Sequence, residues 1–97
     1  MINMISKKDV EILKRRAPIL RTLNKKPEKY MIFGELYHTT EGGFTDFSDF
    51  VRGIMELKEA GFVDERTAEI DYHDERGTEY KILEKGQEGL KKLSELK

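Results

Sequence analysis

A chain of 97 residues has room for one compact domain, and at that size it buries roughly 60–65% of its unfolded surface, which makes for a thin core. With no cysteine, two histidines far apart (His38 and His73), 38% charged residues and a net charge of −1, disulfides and thiolate metal sites are excluded, and no metal or cofactor is expected. No apolar run approaches the ~20 residues of a bilayer span, and Met1–Ile5 lacks the apolar core of a signal peptide, so no membrane association and a cytoplasmic location are expected.

The charge is unevenly placed. Residues 1–30 carry nine Lys/Arg against three acids, net +6; residues 31–80 carry four against thirteen, net −9; residues 81–97 carry five against three, net +2. The apolar residues fall in periodic blocks, which argues against disorder.

In chain order, Ser6 followed by Asp9 reads as a helix start. Val10, Ile12, Leu13, Ala17, Ile19, Leu20 and Leu23 then recur at helical spacing. Pro18 interrupts the run, and two helical pieces are expected, about 7–16 and 18–25, ended by Asn24–Pro27. Tyr30–Phe33 fits a short strand or the start of the next helix equally well. Gly34–Thr40 reads as a short helix, broken by Glu41-Gly42-Gly43. The clearest helix follows: Thr45 as cap, Phe47, Phe50, Val51, Ile54, Met55 and Leu57 as its apolar face, and Gly61 as its stop. Asp46, Ser48, Asp49, Arg52, Gly53, Glu56, Lys58 and Glu59 are expected to point outward. After Gly61 the period becomes that of strands, Phe62-Val63 onward with Ile70 and Tyr72, then Thr78–Ile82, joined by the loop His73–Gly77 into a hairpin. A last helix, about 84–96, carries Leu90, Leu93 and Leu96 on one stripe. Gly86 and Gly89 each cost it about 1 kcal/mol relative to alanine, so it must lean on a neighbour. Leu20, Leu23, Ile32, Leu36, Phe50, Ile54, Leu57, Phe62, Tyr80 and Ile82 suffice for a small shared core, contributing of order 15–30 kcal/mol before chain entropy.

Two segments, Ile54-Met55-Glu56-Leu57-Lys58-Glu59-Ala60-Gly61-Phe62-Val63 and Gly77-Thr78-Glu79-Tyr80-Lys81-Ile82-Leu83-Glu84-Lys85-Gly86, in this order and spacing, carry a family resemblance. They resemble the end of the recognition helix, and the second wing strand running into the last helix, of the winged helix-turn-helix superfamily of bacterial and archaeal regulators of the MarR/PadR/ArsR kind. The resemblance covers about residues 18–93. It departs from the family at Leu83, where a cap threonine is usual, and at Thr40–Phe44, a turn longer and richer in glycine. It implies an α+β fold, with a three-helix core over about 18–83, a two-stranded wing hairpin and a C-terminal helix. Helices 7–16 and 84–96 are then flanking or dimerisation elements of one domain spanning 1–97.

The function implied is that of a transcription regulator binding double-stranded DNA as a homodimer. Ser48 and Arg52 would contact DNA from the recognition helix and Arg76 from the wing tip, with Lys25, Lys26 and Lys29 on phosphates and Leu90, Leu93 and Leu96 in the dimer contact. Against this stand Asp46 and Asp49 on the same helix, and seven acids between Asp64 and Glu79 opposed by Arg66 and Arg76. That strip repels a polyanion. It suits an alternative, a winged-helix module that meets a basic protein. Lys7, Lys8, Lys14, Arg15, Arg16 and Arg21 complete a basic face that fits phosphate contacts from the side of the domain, the acidic strip of a second copy, or an ordinary solvated face. Phe44 and Phe47 are the candidates for an exposed apolar patch. No catalytic residue is expected, because no phosphate loop, thiol, HExxH or GxSxG is present.

Overall fold

The computed structural model describes residues 5–68 and 77–95. Within them, four helices and a three-stranded antiparallel sheet form one α+β unit: α1 (Lys7–Asn24), β1 (Met31–Ile32), α2 (Phe33–Thr39), α3 (Phe47–Glu59), β2 (Val63–Ala68), β3 (Gly77–Ile82) and α4 (Glu84–Glu95).

α1 begins with a reciprocal cap. The Ser6 hydroxyl accepts the Asp9 amide and the Asp9 carboxylate accepts the Ser6 amide, both at 3.1 Å. The helix then runs unbroken for 18 residues through Pro18, which corrects the expected division into 7–16 and 18–25. Proline in a helix interior forfeits one amide bond and costs ~3 kcal/mol. Here buried Leu13 and Ala17 precede it and buried Ile19, Leu20 and Leu23 follow it. Each such leucine or isoleucine returns about 1.5–3 kcal/mol, so tertiary burial outweighs the local penalty.

The apolar run at residues 30–33 supplies both elements it suggests. Met31 and Ile32 pair with Tyr80 and Glu79 of β3, and Phe33 opens α2. Among the described residues the sheet therefore has three strands in the order β1-β3-β2, the short strand adding to the two-stranded hairpin. Thr40 closes α2, its hydroxyl 2.7 Å from the Leu36 carbonyl and 3.2 Å from the Thr22 hydroxyl of α1. The glycine turn that follows folds over Pro18. Gly43 has φ +86°, and a Cβ there would lie 3.0 Å from the proline Cδ, so no other residue fits without a shift.

α3 is capped by Asp46, whose carboxylate accepts the Asp49 amide at 2.9 Å; Thr45 is not the cap. It ends at Gly61 (φ +84°), where the Phe62 amide donates to the Leu57 carbonyl at 2.9 Å and the Gly61 amide to the Lys58 carbonyl at 3.0 Å. That paired closure turns the chain directly into β2. β2 and β3 pair from Val63↔Ile82 to Ala68↔Gly77. The proposed strand residues Ile70 and Tyr72 and the loop from His73 to Arg76 lie outside the described residues.

α4 packs through its glycines, Gly89 against Leu13 of α1 and Gly86 against Phe62 and Ile82 at the base of the hairpin. A Cβ on Gly89 would meet Leu13 side-chain carbons at 3.0 Å, and one on Gly86 would meet the Phe62 carbonyl oxygen at 2.5 Å. Low helix propensity is thus exchanged for close approach. The core contains nine of the ten residues expected there. Ile32 is only half-buried, while Ile12, Leu13, Ala17, Ile19 and Val63 join the core. Among the described residues, no helix is long and apolar enough to cross a membrane.

Candidate functional site

The helix period decides which part of α3 meets solvent. Each residue turns the helix by about 100°. Phe50, Ile54 and Leu57 point at the core and are 0–2% exposed. Ser48, Arg52 and Glu59 fall opposite, and all three are exposed. Met55 lies about 140° from the core direction by the same period and is 54% exposed; Phe47, on the flank, is 52% exposed. The expected apolar face was therefore too wide: Phe47 and Met55 leave it, and Val51 is half-buried at its edge. Phe47 is nonetheless fixed in place, its ring lying edge-on to Phe33 (5.8 Å) and Tyr37 (5.2 Å). Phe44, the other candidate for an exposed patch, is half-buried against Tyr37 and Phe50.

The other flank of α3 holds Asp49, Gly53 and Glu56, three positions expected to face outward. They face α1 and enclose Arg16, which is 5% exposed. Its guanidinium donates to both oxygens of Asp49 at 3.0 Å, to the Gly43 carbonyl at 3.0 Å and, through Nε, to Glu56 at 2.9 Å. Arg15 adds a second contact to Glu56 at 3.3 Å. Gly53 lets the arginine lie flat on the helix, because a Cβ there would be 3.0 Å from the arginine Cδ and Nε. Buried unpaired charge is costly, and here it is matched on every side. The hydrogen bonds from Arg16, and then the Thr45 amide, hold the Asp49 carboxyl down at about 2. Burial works against the Glu56 charge, but Arg16 and Arg15 outweigh it and keep its carboxyl below the usual range. The Arg16 guanidinium is raised by the Asp49 hydrogen bonds against the opposing effect of burial.

This clasp alters the charge pattern read from the sequence. Asp46 is occupied as a cap and Asp49 as the arginine's partner, so the outward N-terminal half of α3 presents Ser48 and Arg52. The basic residues of α1 run alongside. Arg15 and Arg52 line one cleft of about 470 Å³ with Thr45 and Glu56. Arg21 and Lys25 line the next, of about 250 Å³, with Pro18, Thr39 and Glu41. Lys25, Lys26 and Lys29 border a third, of about 360 Å³, with Tyr30 and Glu35. The second and third clefts share Thr22, Lys25 and Thr39, so Arg21 stands with the lysines expected on phosphates, while Arg15 and Arg52 line a separate cleft. The acids Glu35 and Glu41 stand among those lysines.

On the sheet, described acids of the strip are engaged inside the chain. Asp64 accepts the Tyr30 hydroxyl. Glu65 accepts Lys58 at 2.7 Å and the Tyr80 hydroxyl at 2.5 Å. Glu79 accepts Arg66, whose guanidinium also lies 3.7 Å over the Tyr30 ring. Burial, then the Glu65 contact, pushes the Tyr80 phenol up to about 12. Arg76, the expected wing contact, lies outside the described residues, as does Leu96. Leu90 and Leu93 are half-buried and pack against the chain's own core. Among the described residues there is no group of three or more potential metal ligands.

The chain matches no protein-family model, no curated protein and no solved structure with which it was compared.

Proposed function

We propose that this chain is a winged-helix DNA-binding module, with α3 entering the major groove and the basic side of α1 resting on phosphates. The order helix, strand, helix, helix, hairpin, helix, with β1 completing the sheet beside β3, supports the winged-helix reading. One observation carries the DNA reading. The acids at the start of α3 are tied into the cap and the Arg16 clasp, leaving Ser48 and Arg52 outward beside Arg15, and a second basic region at Arg21, Lys25, Lys26 and Lys29 lines two adjoining clefts. Arginine reads base edges and lysine holds phosphates in such an arrangement. Regulation of transcription is the function this chemistry serves, and Arg76 belongs to the same proposal as a wing contact.

The test is the anisotropy of a labelled random duplex across a salt series. Each phosphate contact adds about −0.9 to the slope of log affinity against log salt. Lys25→Ala, Lys26→Ala and Lys29→Ala together should flatten the slope by about 3, and Arg52→Ala should weaken binding. Absence of binding at low salt refutes the proposal.

The alternative, an acidic face that meets a basic protein, draws less support, because Asp49, Glu56, Glu65 and Glu79 already have cationic partners in the chain. A homodimer through α4 has the half-buried Leu90 and Leu93 to offer. Sedimentation decides it, two chains supporting the dimer and one removing it.

A further inference from the structure

The outward side of α3 combines two chemistries. Ser48 and Arg52 are polar and exposed, and beside them runs an i, i+4, i+8 row of Phe47, Val51 and Met55, with Phe47 52% and Met55 54% exposed. Such a row needs no partner of its own, but on the helix face proposed to enter the groove it presents apolar contacts to whatever lies there. Charge complementarity favours a polyanion. The adjoining cleft carries Arg15, Arg16 and Arg52 against Asp49 and Glu56, a surplus of one positive charge, with Asp49 paired to Arg16, Glu56 to Arg15 and Arg16, and the exposed Asp46 at the N-cap. Glu59, the outward acid, sits a turn beyond Met55, toward the C-terminal end of the helix. The apolar feature of the DNA major groove is the 5-methyl group of thymine, and the preferred partner of an arginine there is the O6/N7 edge of guanine.

We propose that α3 selects duplex DNA in which guanine is flanked by thymines, Arg52 donating to the guanine and Phe47, Val51 and Met55 seating the thymine methyl groups. The inference rests on the DNA-binding reading above and names its sequence class. The spacing is suitable. Successive members of the row are one turn apart, about 6 Å along the helix, close to two base steps of about 3.4 Å each. Phe47 is held by Phe33 and Tyr37 and offers a fixed ring edge. Met55 has no such constraint and adapts its thioether to the neighbouring base.

The experiment uses the full chain and a pool of duplexes with a random central segment, enriched for binding over successive rounds. The enriched duplexes are then remade with uracil in place of thymine, which removes the methyl groups and leaves base pairing intact. The expected result is enrichment of thymine next to guanine and an affinity loss of about fourfold per contacted methyl in the uracil duplexes, the ratio that one buried CH₂ carries. Met55→Gln, at an exposed position that the fold does not use, should weaken binding to the thymine duplexes and narrow the difference between thymine and uracil duplexes, leaving the protein folded. Equal affinity for thymine and uracil duplexes, or enrichment without thymine beside guanine, overturns this inference and leaves the DNA reading standing. If no duplex is retained at low salt, both fall.

Discussion

Replacing Arg16 with alanine should destabilise the fold severely. The guanidinium makes two bonds to Asp49, one to Glu56 and one to the Gly43 carbonyl, and so joins α1, the glycine turn and α3 at one point. Removing one member of a fully buried ion pair costs about 3–5 kcal/mol. The side chains of Asp49 and Glu56 are 19% and 25% exposed and recover some hydration, so about 2–4 kcal/mol is expected for Arg16→Ala. With a urea slope of about 1–1.5 kcal/mol/M for a domain of this size, the unfolding midpoint should fall by about 2 M. The second arm of the assay is Gly53→Ala. In an open helix the change stabilises by up to about 1 kcal/mol. Here the new Cβ would press on an arginine held by four hydrogen bonds, 3.0 Å from its Cδ and Nε. Gly53→Ala should therefore destabilise the wild type and stabilise the Arg16→Ala protein. A midpoint shift under about 0.5 M for Arg16→Ala, set against that slope, or the same sign for Gly53→Ala in both backgrounds, refutes the clasp.

Three further outcomes follow from the same contacts. Gly86→Ala drives a Cβ to 2.5 Å from the Phe62 carbonyl oxygen, a backbone atom that already accepts the Leu83 amide; thermal melting should fall by roughly 10 °C or more, from an overpacking cost of about 2–3 kcal/mol, and an unchanged melt contradicts the α4 packing. Asp49, Glu56 and Asp9 all have carboxyls below their ordinary values in the folded chain. Folded values below unfolded ones give stability that is complete above the ordinary carboxylate range and is lost as pH falls toward about 2, the Asp49 value. Urea midpoints measured through that window should drop, and drop less in Arg16→Ala. Tyr80, raised to about 12, gives the opposite sign: its contribution is present below the ordinary phenol value of about 10 and lost as pH rises through the folded one. Tyrosinate absorbance should show Tyr80 ionising late, and Tyr80→Phe should remove that step.

Sequence period made α3, the hairpin and α4 legible, because each has a repeat and a stop that act locally: the Phe50–Ile54–Leu57 stripe, Gly61, and the alternation over Thr78–Ile82. What stayed hidden depends on distant partners. Pro18 reads as a break by its own chemistry, and only burial of Leu13 on one side and Leu20 on the other carries the helix through it. Arg16 reads as one more member of a basic face, since its carboxylates lie 33 and 40 residues away. Asp49 and Glu56 read as outward for the same reason, since their arginine lies on another helix. A finer use of the helix period would have placed Met55 outside the apolar stripe, because its angle is set by spacing alone. Of the candidate site, Ser48, Arg52 and the lysines were selected from sequence. That Arg15 shares a cleft with Arg52, and Arg21 one with Lys25, depends on the packing of α1 on the α2–α3 turn.

The most direct measurement is an amide chemical-shift map of the isotope-labelled chain titrated with duplex DNA at low salt. The account predicts the largest shifts at residues 47–55 of α3 and at Arg15, Arg21 and Lys25–Lys29, with α4 unmoved. Shifts confined to α4, or a spectrum that does not respond to the duplex, would contradict it.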